Sequence, residues 1–242
     1  MDLWAFIEET NRADDPDSLF LLFQQQLGAL GFDRVCYSLM TDHPECGMSA
    51  GHAVARNYPE DWMKYYSAMG YEDVDPVRKA VMTARRPFTW DEMEVYRRHD
   101  TREKRVMNEA TEAKLLDGMG VSIYGPRGEV VGVGFASSHG GVDLNPNVMS
   151  AVQMLTNQFH QRYMGMMRDR NGIPRRPVQL SAREKEVLLW SSRGKSNYVI
   201  GEILCISTHS VDTHFRKAFR KLEVNDRIMA IVKAIRLGLI NP

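Results

Sequence analysis

The most regular pattern of apolar positions in the chain lies near its end, over residues 208–222. Val211, Phe215, Ala218 and Leu222 recur at spacings of four, three and four, which places them on one stripe of an α-helix. The opposite side of the same helix carries histidine, threonine, lysine and arginine. The pattern therefore predicts an amphipathic helix with one buried face and one cationic face.

Local start and stop signals predict three more helices around this one. The first begins after Ser181, with Glu184 placed to complete a capping box, and ends at Gly194. Residues 196–205 and 226–240 are predicted to form the other two. Four short helices with tight connections predict an all-α unit at this end of the chain.

The earlier part of the chain mixes strand and helix patterns. Residues 32–41 are predicted as a strand, and residues 120–138 as two strands joined by a Pro126–Gly128 turn. Long helices are predicted over three segments, 19–31, 102–120 and 145–170. We therefore expect an α+β fold, with an N-terminal α-β-α sandwich around an antiparallel sheet and a C-terminal all-α four-helix helix-turn-helix domain.

Charge divides the chain at the same point. From Pro174 onward there are 13 Lys and Arg against 6 Asp and Glu, a net charge of +7, while the remainder carries 18 against 25, a net charge of −7. The segment RDRNGIPRRP between these parts is rich in residues that break helices. We predict domains at residues 1–168 and 179–242 joined by a linker at 169–178. The basic domain favours a phosphate-bearing partner such as nucleic acid.

Composition excludes several other classes of protein. No stretch approaches the eighteen or so apolar residues of a membrane span, and the chain starts with an acidic segment, so we expect a cytoplasmic protein without a membrane partner. Cys36, Cys46 and Cys205 have no CxxC spacing and indicate neither a disulfide framework nor a zinc site. The seven histidines are scattered, so a metal-dependent lactonase or another enzyme is not predicted.

Residues 196–222 form a candidate helix-turn-helix, with Ser207 capping the second helix. We predict base contacts from His209, Thr213 and Arg216, near the start of that helix. Contacts to the DNA backbone are predicted for Lys217, Arg220 and Lys221. Three neighbouring residues complete the predicted DNA-binding set: Lys195, Thr208 and Asp212. The alternative is a solvated helix with ordinary surface charge.

The same region resembles a known family. The segment LSAREKEVLLWSSRGKSNYVIGEILCISTHSVDTHFRKAFRKLEV is similar to the LuxR-type, or GerE-like, DNA-binding domain. The resemblance implies that Glu184, Leu188 and Gly194 occupy the family's most constant positions, where we predict structural roles as cap, core and helix stop. It also implies binding to double-stranded DNA.

A second informative segment, NYPEDWMKYYSAMGYEDVDPVRKAVMTARRPFTW, combines aromatic rings with polar groups. Tyr58 and Trp62 lie one helical turn apart, so a phenol hydroxyl and an indole N–H are expected on the same side. Asp75 supplies a hydrogen-bond acceptor, and Trp90 supplies a flat apolar wall. From the residues alone, the three aromatic residues could instead be core residues and Asp75 a helix cap.

This segment resembles the autoinducer-binding domain of LuxR-type quorum-sensing regulators, which bind N-acyl-homoserine lactones. The resemblance implies that Trp62 donates to the lactone carbonyl, Asp75 accepts from the amide N–H, Tyr58 donates to the acyl carbonyl and Trp90 packs on the lactone ring. No cofactor is expected. Phe135 and Ser137 align where the family faces the acyl group, but a one-residue uncertainty in the hairpin leaves open which side chains face inward.

Together the two resemblances imply a transcription regulator that binds an N-acyl- or aroyl-homoserine lactone. It would bind a palindromic promoter element as a homodimer. The dimer surface is predicted on residues 146–168, whose apolar side could equally be core. That side is formed by Val148, Val152, Leu155, Phe159 and Met166. The rival hypothesis is a ligand-independent regulator with a non-functional pocket.

Overall fold

The computed structural model describes residues 2–96, 101–172 and 178–242. These residues cluster into two compact units, a larger one within residues 2–172 and a smaller one containing residues 178–242. Part of the predicted linker, residues 173–177, lies outside the described residues. Among the residues described, no helix has both the length and the apolar character needed to cross a membrane.

An antiparallel sheet forms the centre of the larger unit. Its strands are β1 (Arg34–Leu39), β2 (Gly51–Arg56), β3 (Phe88–Thr89), β4 (Leu116–Tyr124) and β5 (Val130–Ser137). They lie side by side in the order β2-β1-β5-β4-β3, and every pairing is antiparallel. The sheet therefore brings residues far apart in sequence onto neighbouring strands.

Helices cover both faces of this sheet. The larger unit contains α1 (Leu3–Arg12), α2 (Pro16–Gly28), α3 (Glu60–Ala68), α4 (Pro76–Val81), α5 (Trp90–Tyr96), α6 (Thr101–Glu112) and α7 (Pro146–Arg170). One face packs on α1, α2 and α7 through buried residues such as Phe6, Phe23 and Phe159. The other face packs on residues of α3, α4, α5 and α6, among them Trp62 and Val106. The predicted α-β-α sandwich is confirmed.

Strand alternation separates the two cores. Along β5, Val131, Val133 and Phe135 belong to the core under α1, α2 and α7. The intervening positions Gly132 and Gly134 face the other side, where α3 and α4 lie. Each strand therefore contributes alternate residues to two chemically different interiors.

The structure corrects the predicted helix over residues 102–120. Helix α6 ends at Glu112, Lys114 adopts a left-handed conformation with φ of 61°, and β4 begins at Leu116. Residues that could continue a helix instead pair with β5 as a strand, because non-local pairing overrides local helix propensity.

The apolar side of α7 is core rather than a free surface. Val152, Leu155 and Phe159 are fully buried against the sheet and its neighbouring helices. Val148 and Met166 pack against the same cluster. This stripe is therefore not available as a dimer surface. The start of the helix is as predicted, because the Asn145 side chain accepts hydrogen bonds from the first-turn N–H groups.

The smaller unit consists of α8 (Ala182–Ser192), α9 (Asn197–Leu204), α10 (Thr208–Leu222) and α11 (Arg227–Arg236), as predicted. Ser181 and Glu184 form the predicted capping box at the start of α8. The predicted stripe of α10 is fully or almost fully buried, at Val211, Phe215, Ala218 and Leu222. These residues share a core with Leu188 and Ile200.

Candidate ligand pocket and DNA-reading surface

A cavity lies between the sheet and helices α3–α6 of the larger unit and encloses about 60 Å³. Its floor is formed by alternate residues of β1 and β5: Cys36, Ser38, Gly132 and Gly134. The methionines Met40 and Met107 in its wall are flexible side chains, so a ligand could widen the cavity by moving them.

Four of the predicted ligand-binding residues line this cavity: Tyr58, Trp62, Asp75 and Trp90. Helix α3 begins at Glu60 with Pro59 as its N-cap, so Trp62 lies in the first turn while Tyr58 precedes the helix, and both side chains line the cavity. The Trp62 ring is 7% exposed and packs against the rings of Tyr66 and Tyr71. The fold therefore gathers aromatic surface and polar groups at one place.

Asp75 is both a helix cap and a wall of the cavity. Its Oδ1 accepts from the Val77 N–H at 2.7 Å, at the start of α4, and its Oδ2 accepts from the Tyr66 hydroxyl at 2.7 Å. Burial raises the pKa of Asp75 above its ordinary value, although these hydrogen bonds act in the opposite direction. A carboxylate has about four acceptor sites, so the group can accept a further hydrogen bond from a ligand.

Two potential donors belong to residues that line the same cavity. Burial raises the pKa of the Tyr58 hydroxyl well above its ordinary value, so the group stays protonated and can donate. The indole Nε1–H of Trp90 is buried and has no hydrogen-bond partner among the described residues. An unpaired buried donor costs about 1–3 kcal/mol, which a ligand acceptor would recover.

Glycines let the aromatic rings approach the sheet. A Cβ added at Gly118 would lie 2.0 Å from Trp90 Cδ2, and one at Gly134 would lie 3.0 Å from the Tyr58 hydroxyl oxygen. A Cβ at Gly132 would lie 2.7 Å from a methyl group of Val81. Trp90, Tyr58 and Val81 can therefore occupy these positions only because the facing residues of β4 and β5 are glycines.

Phe135 and Ser137 do not line the cavity, which corrects their predicted role. Strand β5 pairs with β1 in a register that places Phe135 opposite Val35, on the face under α1, α2 and α7. There its ring contacts Phe23 and Phe32. The Ser137 Oγ accepts backbone hydrogen bonds from residues 139 and 140. The cavity side of β5 carries glycine instead.

Four polar residues of the cavity wall were not predicted: Ser38, His52, Tyr66 and Arg78. Helical spacing could have indicated two of them, because Tyr66 follows Trp62 by four residues and Arg78 follows Asp75 by three. Ser38 and His52 required knowledge of how β1 and β2 pair. Burial, together with Arg78 and Arg56, lowers the pKa of His52 to about 4.

The helix-turn-helix of the smaller unit is held by a close backbone approach. Helix α9 ends at Leu204, and its C-cap residue Cys205 adopts a left-handed conformation. Ser207 caps α10 by accepting from the Ser210 N–H. A Cβ added at Gly201 would lie 2.7 Å from the carbonyl oxygen of Ile206. Glycine is therefore required where α9 meets the turn.

The predicted DNA-binding residues lie on the accessible side of α10 and at the start of α9. The exposed members of this set are Lys195, Thr208, His209, Arg216, Lys217, Arg220 and Lys221. Thr213 and Asp212 are half-buried. The helix thus presents a cationic outer face opposite its buried stripe.

Two of these residues are held by partners within the unit. Lys221 Nζ pairs with Glu184 Oε2 at 2.7 Å, so its charge supports the fold, which differs from the predicted role at the DNA backbone. Asp212 accepts from Asn197 at 3.0 Å and pairs with Arg216 Nη2 at 3.3 Å. Arg216 would have to leave this pair to reach a base.

Arg227 is a structural residue that sequence patterns did not reveal. Its guanidinium donates to Ser191 Oγ, Asn197 Oδ1 and the Lys195 carbonyl, and it lies 4.8 Å from the Phe215 ring centroid. These contacts tie α11 to α8, α9 and α10 and so orient the recognition helix. Among the described residues, no group of three or more His, Cys, Asp or Glu side chains is arranged to hold a metal ion.

Comparisons with known proteins cover both units. Residues 15–163 match the family described as "Autoinducer binding domain", and residues 178–234 match the family described as "Bacterial regulatory proteins, luxR family". The cavity residues Tyr58, Trp62, Asp75 and Trp90 fall within the first match. The helix-turn-helix falls within the second.

Relatives match nearly the whole chain. The "HTH-type quorum sensing-dependent transcriptional regulator RpaR" of Rhodopseudomonas palustris is 30% identical, with 97% of this chain and 93% of that protein covered. The "Transcriptional activator protein SolR" of Ralstonia solanacearum is 31% identical, with 94% of each covered. The crystal structure of Escherichia coli SdiA shares the fold, with a TM-score of 0.72 at 20% identity over 100% of both chains.

Proposed function

Because this chain belongs to the LuxR family of bacterial regulators with an autoinducer-binding domain, we propose that its cavity binds an N-acyl- or aroyl-homoserine lactone. We further propose that it binds a two-fold symmetric promoter site as a homodimer. At the level of the family, the protein is a quorum-sensing transcriptional regulator with a DNA-binding helix-turn-helix, not an enzyme. Such a role suits a cytoplasmic protein.

The observation that carries the lactone proposal is the convergence of complementary polar groups around one cavity. Trp62 and Tyr58 provide donors for the two carbonyl groups of such a ligand, and Asp75 provides the acceptor for its amide N–H. Trp90 provides a ring surface for the lactone. A ligand without the amide N–H would leave a buried carboxylate under-paired, at a cost of about 1–3 kcal/mol or more.

The DNA proposal is supported by the outer face of α10. His209, Thr213 and Arg216 lie within its first three turns, and Lys217 and Arg220 follow. In a helix-turn-helix this arrangement puts the first group at base edges in the major groove and the second at phosphates. Two copies related by a two-fold axis would read half-sites separated by one or more turns of about 10 base pairs.

Ligand binding would control dimerisation because binding and folding are thermodynamically linked. A lactone that binds only the folded larger unit stabilises it and raises the concentration of protein able to dimerise. We propose domain limits near residues 1–168 and 179–242, with the segment between them as linker. The dimer contact then uses surfaces other than the buried stripe of α7.

The test is mass spectrometry of a solvent extract of the full chain, purified from cells that also express its native signal synthase. We expect a homoserine lactone in the extract of the unaltered protein and of Arg216→Ala. Asp75→Asn, which can still cap α4, should lose at least nine-tenths of it. Full retention by Asp75→Asn would overturn the assignment of the amide acceptor.

Operator binding separates this proposal from its rival. The lactone-loaded protein should bind promoter DNA more tightly than protein purified without lactone, and Arg216→Ala should weaken binding in both states. Equal operator affinity with and without every lactone tested would instead support a ligand-independent regulator.

A further inference from the structure

The cavity runs across the sheet from one edge toward the other. At one end Trp90 lies flat over Gly118 of β4, and near the middle Tyr58 lies over Gly134 of β5. At the other end are Ser38 of β1 and His52 of β2. Because neighbouring strands are about 4.8 Å apart, β2 is about 10 Å from β5. A lactone ring on Trp90, with its amide beside Tyr58, would direct its acyl group toward β1 and β2.

That far end is unusually polar for the place where an alkyl chain would lie. Arg78 Nη1 lies 2.9 Å from His52 Nδ1, and Ser38 Oγ lies 3.2 Å from the same nitrogen. The His52 ring stacks on Tyr66 at 4.8 Å between centroids. All four side chains line the cavity. An acyl group that ends in methyl would therefore cover polar groups without replacing their contacts with water.

The protonation states of Arg78 and His52 make the β1–β2 end of the cavity a hydrogen-bond donor. A guanidinium can only donate, so His52 Nδ1 must accept from Arg78, and the remaining ring proton is assigned to Nε2. The lowered pKa of His52 agrees with a neutral ring. The Arg78 Nε–H donates to the Glu72 carbonyl at 3.2 Å, which leaves further guanidinium N–H groups for another acceptor.

The charge of Arg78 is not neutralised by an ion pair. Over the described ranges, no carboxylate lies within 4.0 Å of its guanidinium. Burial raises the pKa of Asp75, and the charge of Arg78 is near enough to oppose that rise. The side-chain hydrogen bonds of Asp75 nevertheless come from the Tyr66 hydroxyl and the Val77 N–H, not from the guanidinium. A half-buried guanidinium without an ion pair favours an oxygen acceptor, and most strongly an anionic one.

We propose that the lactone recognised here carries an acyl group ending in a hydrogen-bond-accepting oxygen, with a carboxylate bound most tightly. Arg78 binds this oxygen, and His52, stacked on Tyr66, positions the guanidinium. This inference rests on the proposed function, since it places the lactone and amide at Trp90 and Asp75. It assigns Arg78 as the residue that selects among acyl groups.

The test compares lactones that differ only at the end of the acyl chain. Dissociation constants of the full chain would be measured by calorimetry for hexanoyl- against adipoyl-homoserine lactone and for octanoyl- against suberoyl-homoserine lactone. We expect the carboxylate-ended ligand to bind at least tenfold more tightly in one pair. Equal or tighter binding of the methyl-ended ligand in both pairs, or no binding of any of the four, overturns the inference. The proposed function, which includes aroyl lactones, fails separately if the solvent extract of the unaltered protein contains no homoserine lactone.

Variants assign the preference to Arg78. Arg78→Met should abolish or reverse it, while Arg85→Met, which removes an exposed arginine just after α4 that does not line the cavity, should leave it unchanged. Arg78→Gln retains a donor without charge and should keep only part of the preference. If Arg78→Met does not fold, the Gln variant decides. A preference unchanged in either folded variant overturns the role of Arg78.

Discussion

The two units of this protein hold their functional groups in opposite ways. In the larger unit the candidate groups face an internal cavity, and one of them, the Trp90 indole N–H, is buried without a partner in the described chain. In the smaller unit Arg216, Lys217 and Arg220 are exposed, while the buried Glu184 is paired. The first arrangement leaves a buried donor that a ligand could pair with, whereas the cationic groups of the second already face solvent.

This difference has an energetic consequence. Each buried polar group left unpaired costs about 1–3 kcal/mol, which is a large share of the 5–15 kcal/mol that typically stabilises a domain. At Glu184 the smaller unit avoids this cost by local pairing: burial alone would raise the pKa of Glu184, but hydrogen bonds from Lys221 and Ser181 hold it below its ordinary value. His214 Nδ1, in the same unit, is buried without a partner among the described residues, but it does not line the cavity that a ligand would fill. We therefore expect ligand to control the stability of the larger unit more than that of the smaller one.

The largest expected effect is the stabilisation produced by the lactone itself. At a free concentration 1,000 times the dissociation constant, a ligand that binds only the folded state contributes about 4 kcal/mol. Scanning calorimetry of the full chain should show this gain in the unfolding transition of the larger unit, with little change in that of the smaller. Near-equal shifts of both transitions would contradict the contrast between the units.

Acid should produce the next largest effect, again in the larger unit. Burial, with Arg78 and Arg56, lowers the pKa of His52 to about 4, and burial, with His43, lowers the pKa of His160 to about 4. Below pH 6.5 the unfolded state binds more protons at these sites, so the free energy of unfolding falls as pH falls from 6.5 toward 4. We expect a loss of about 2–3 kcal/mol for each histidine by pH 4.5, before the opposing effect of Asp75 reduces the net loss.

Denaturant titrations at several pH values would measure this dependence. The raised pKa of Asp75 acts in the opposite sense, because protonation of that carboxyl in acid relieves its burial cost, so the net slope is smaller than the histidines alone produce. In the smaller unit the lowered pKa of Glu184 removes stability only below pH 4.5. His160→Gln, which can still bond the Tyr37 hydroxyl, should flatten the pH dependence of the larger unit.

Glycines at close approaches provide a matched pair of substitutions, one in each unit. Gly118→Ala would drive a Cβ to 2.0 Å from Trp90, and Gly201→Ala would drive one to 2.7 Å from the Ile206 carbonyl oxygen. Each should cost about 1–3 kcal/mol of unfolding free energy in its own unit. Lactone binding should fail in the first variant and operator binding in the second.

Gly165→Ala is the control for both variants. This glycine lies inside α7 with no neighbouring atom within 4 Å of an added Cβ, so alanine should be neutral or stabilise the helix by up to about 1 kcal/mol. Loss of operator binding in Gly118→Ala protein that is fully folded would show that the cavity wall acts on DNA binding directly rather than through stability.

The units also differ in how much of them the sequence predicted. The buried stripe of α10 and the capping box at Glu184 were read correctly, because helix signals act over three or four residues. The cavity was predicted only in part. The sequence placed Phe135 rather than Gly134 in the cavity. Which residues of β5 face the cavity depends on the register with β1, a strand nearly one hundred residues earlier in the chain. His52 was missed for the same reason.

The smallest expected change in stability accompanies Arg216→Ala. Its pair with Asp212 joins an exposed guanidinium to a half-buried carboxylate at positions i and i+4, and solvent-accessible pairs of this spacing contribute about 0.3–0.5 kcal/mol. Denaturant unfolding of the smaller unit should therefore hardly change. Operator affinity should nevertheless fall by about 1–3 kcal/mol if Arg216 leaves Asp212 for a base edge, with discrimination relaxed at one position of each half-site.

Lys217→Ala is the matched control, because it removes an exposed charge from the next position of the same helix. If Lys217 contacts a phosphate, its loss should weaken binding to all DNA sequences alike. The slope of the logarithm of the binding constant against the logarithm of salt concentration should become shallower by about one. Binding measured on operator variants at several salt concentrations separates the two outcomes. The same uniform loss in both variants would mean that α10 contributes only charge, and that the bases are read by other side chains.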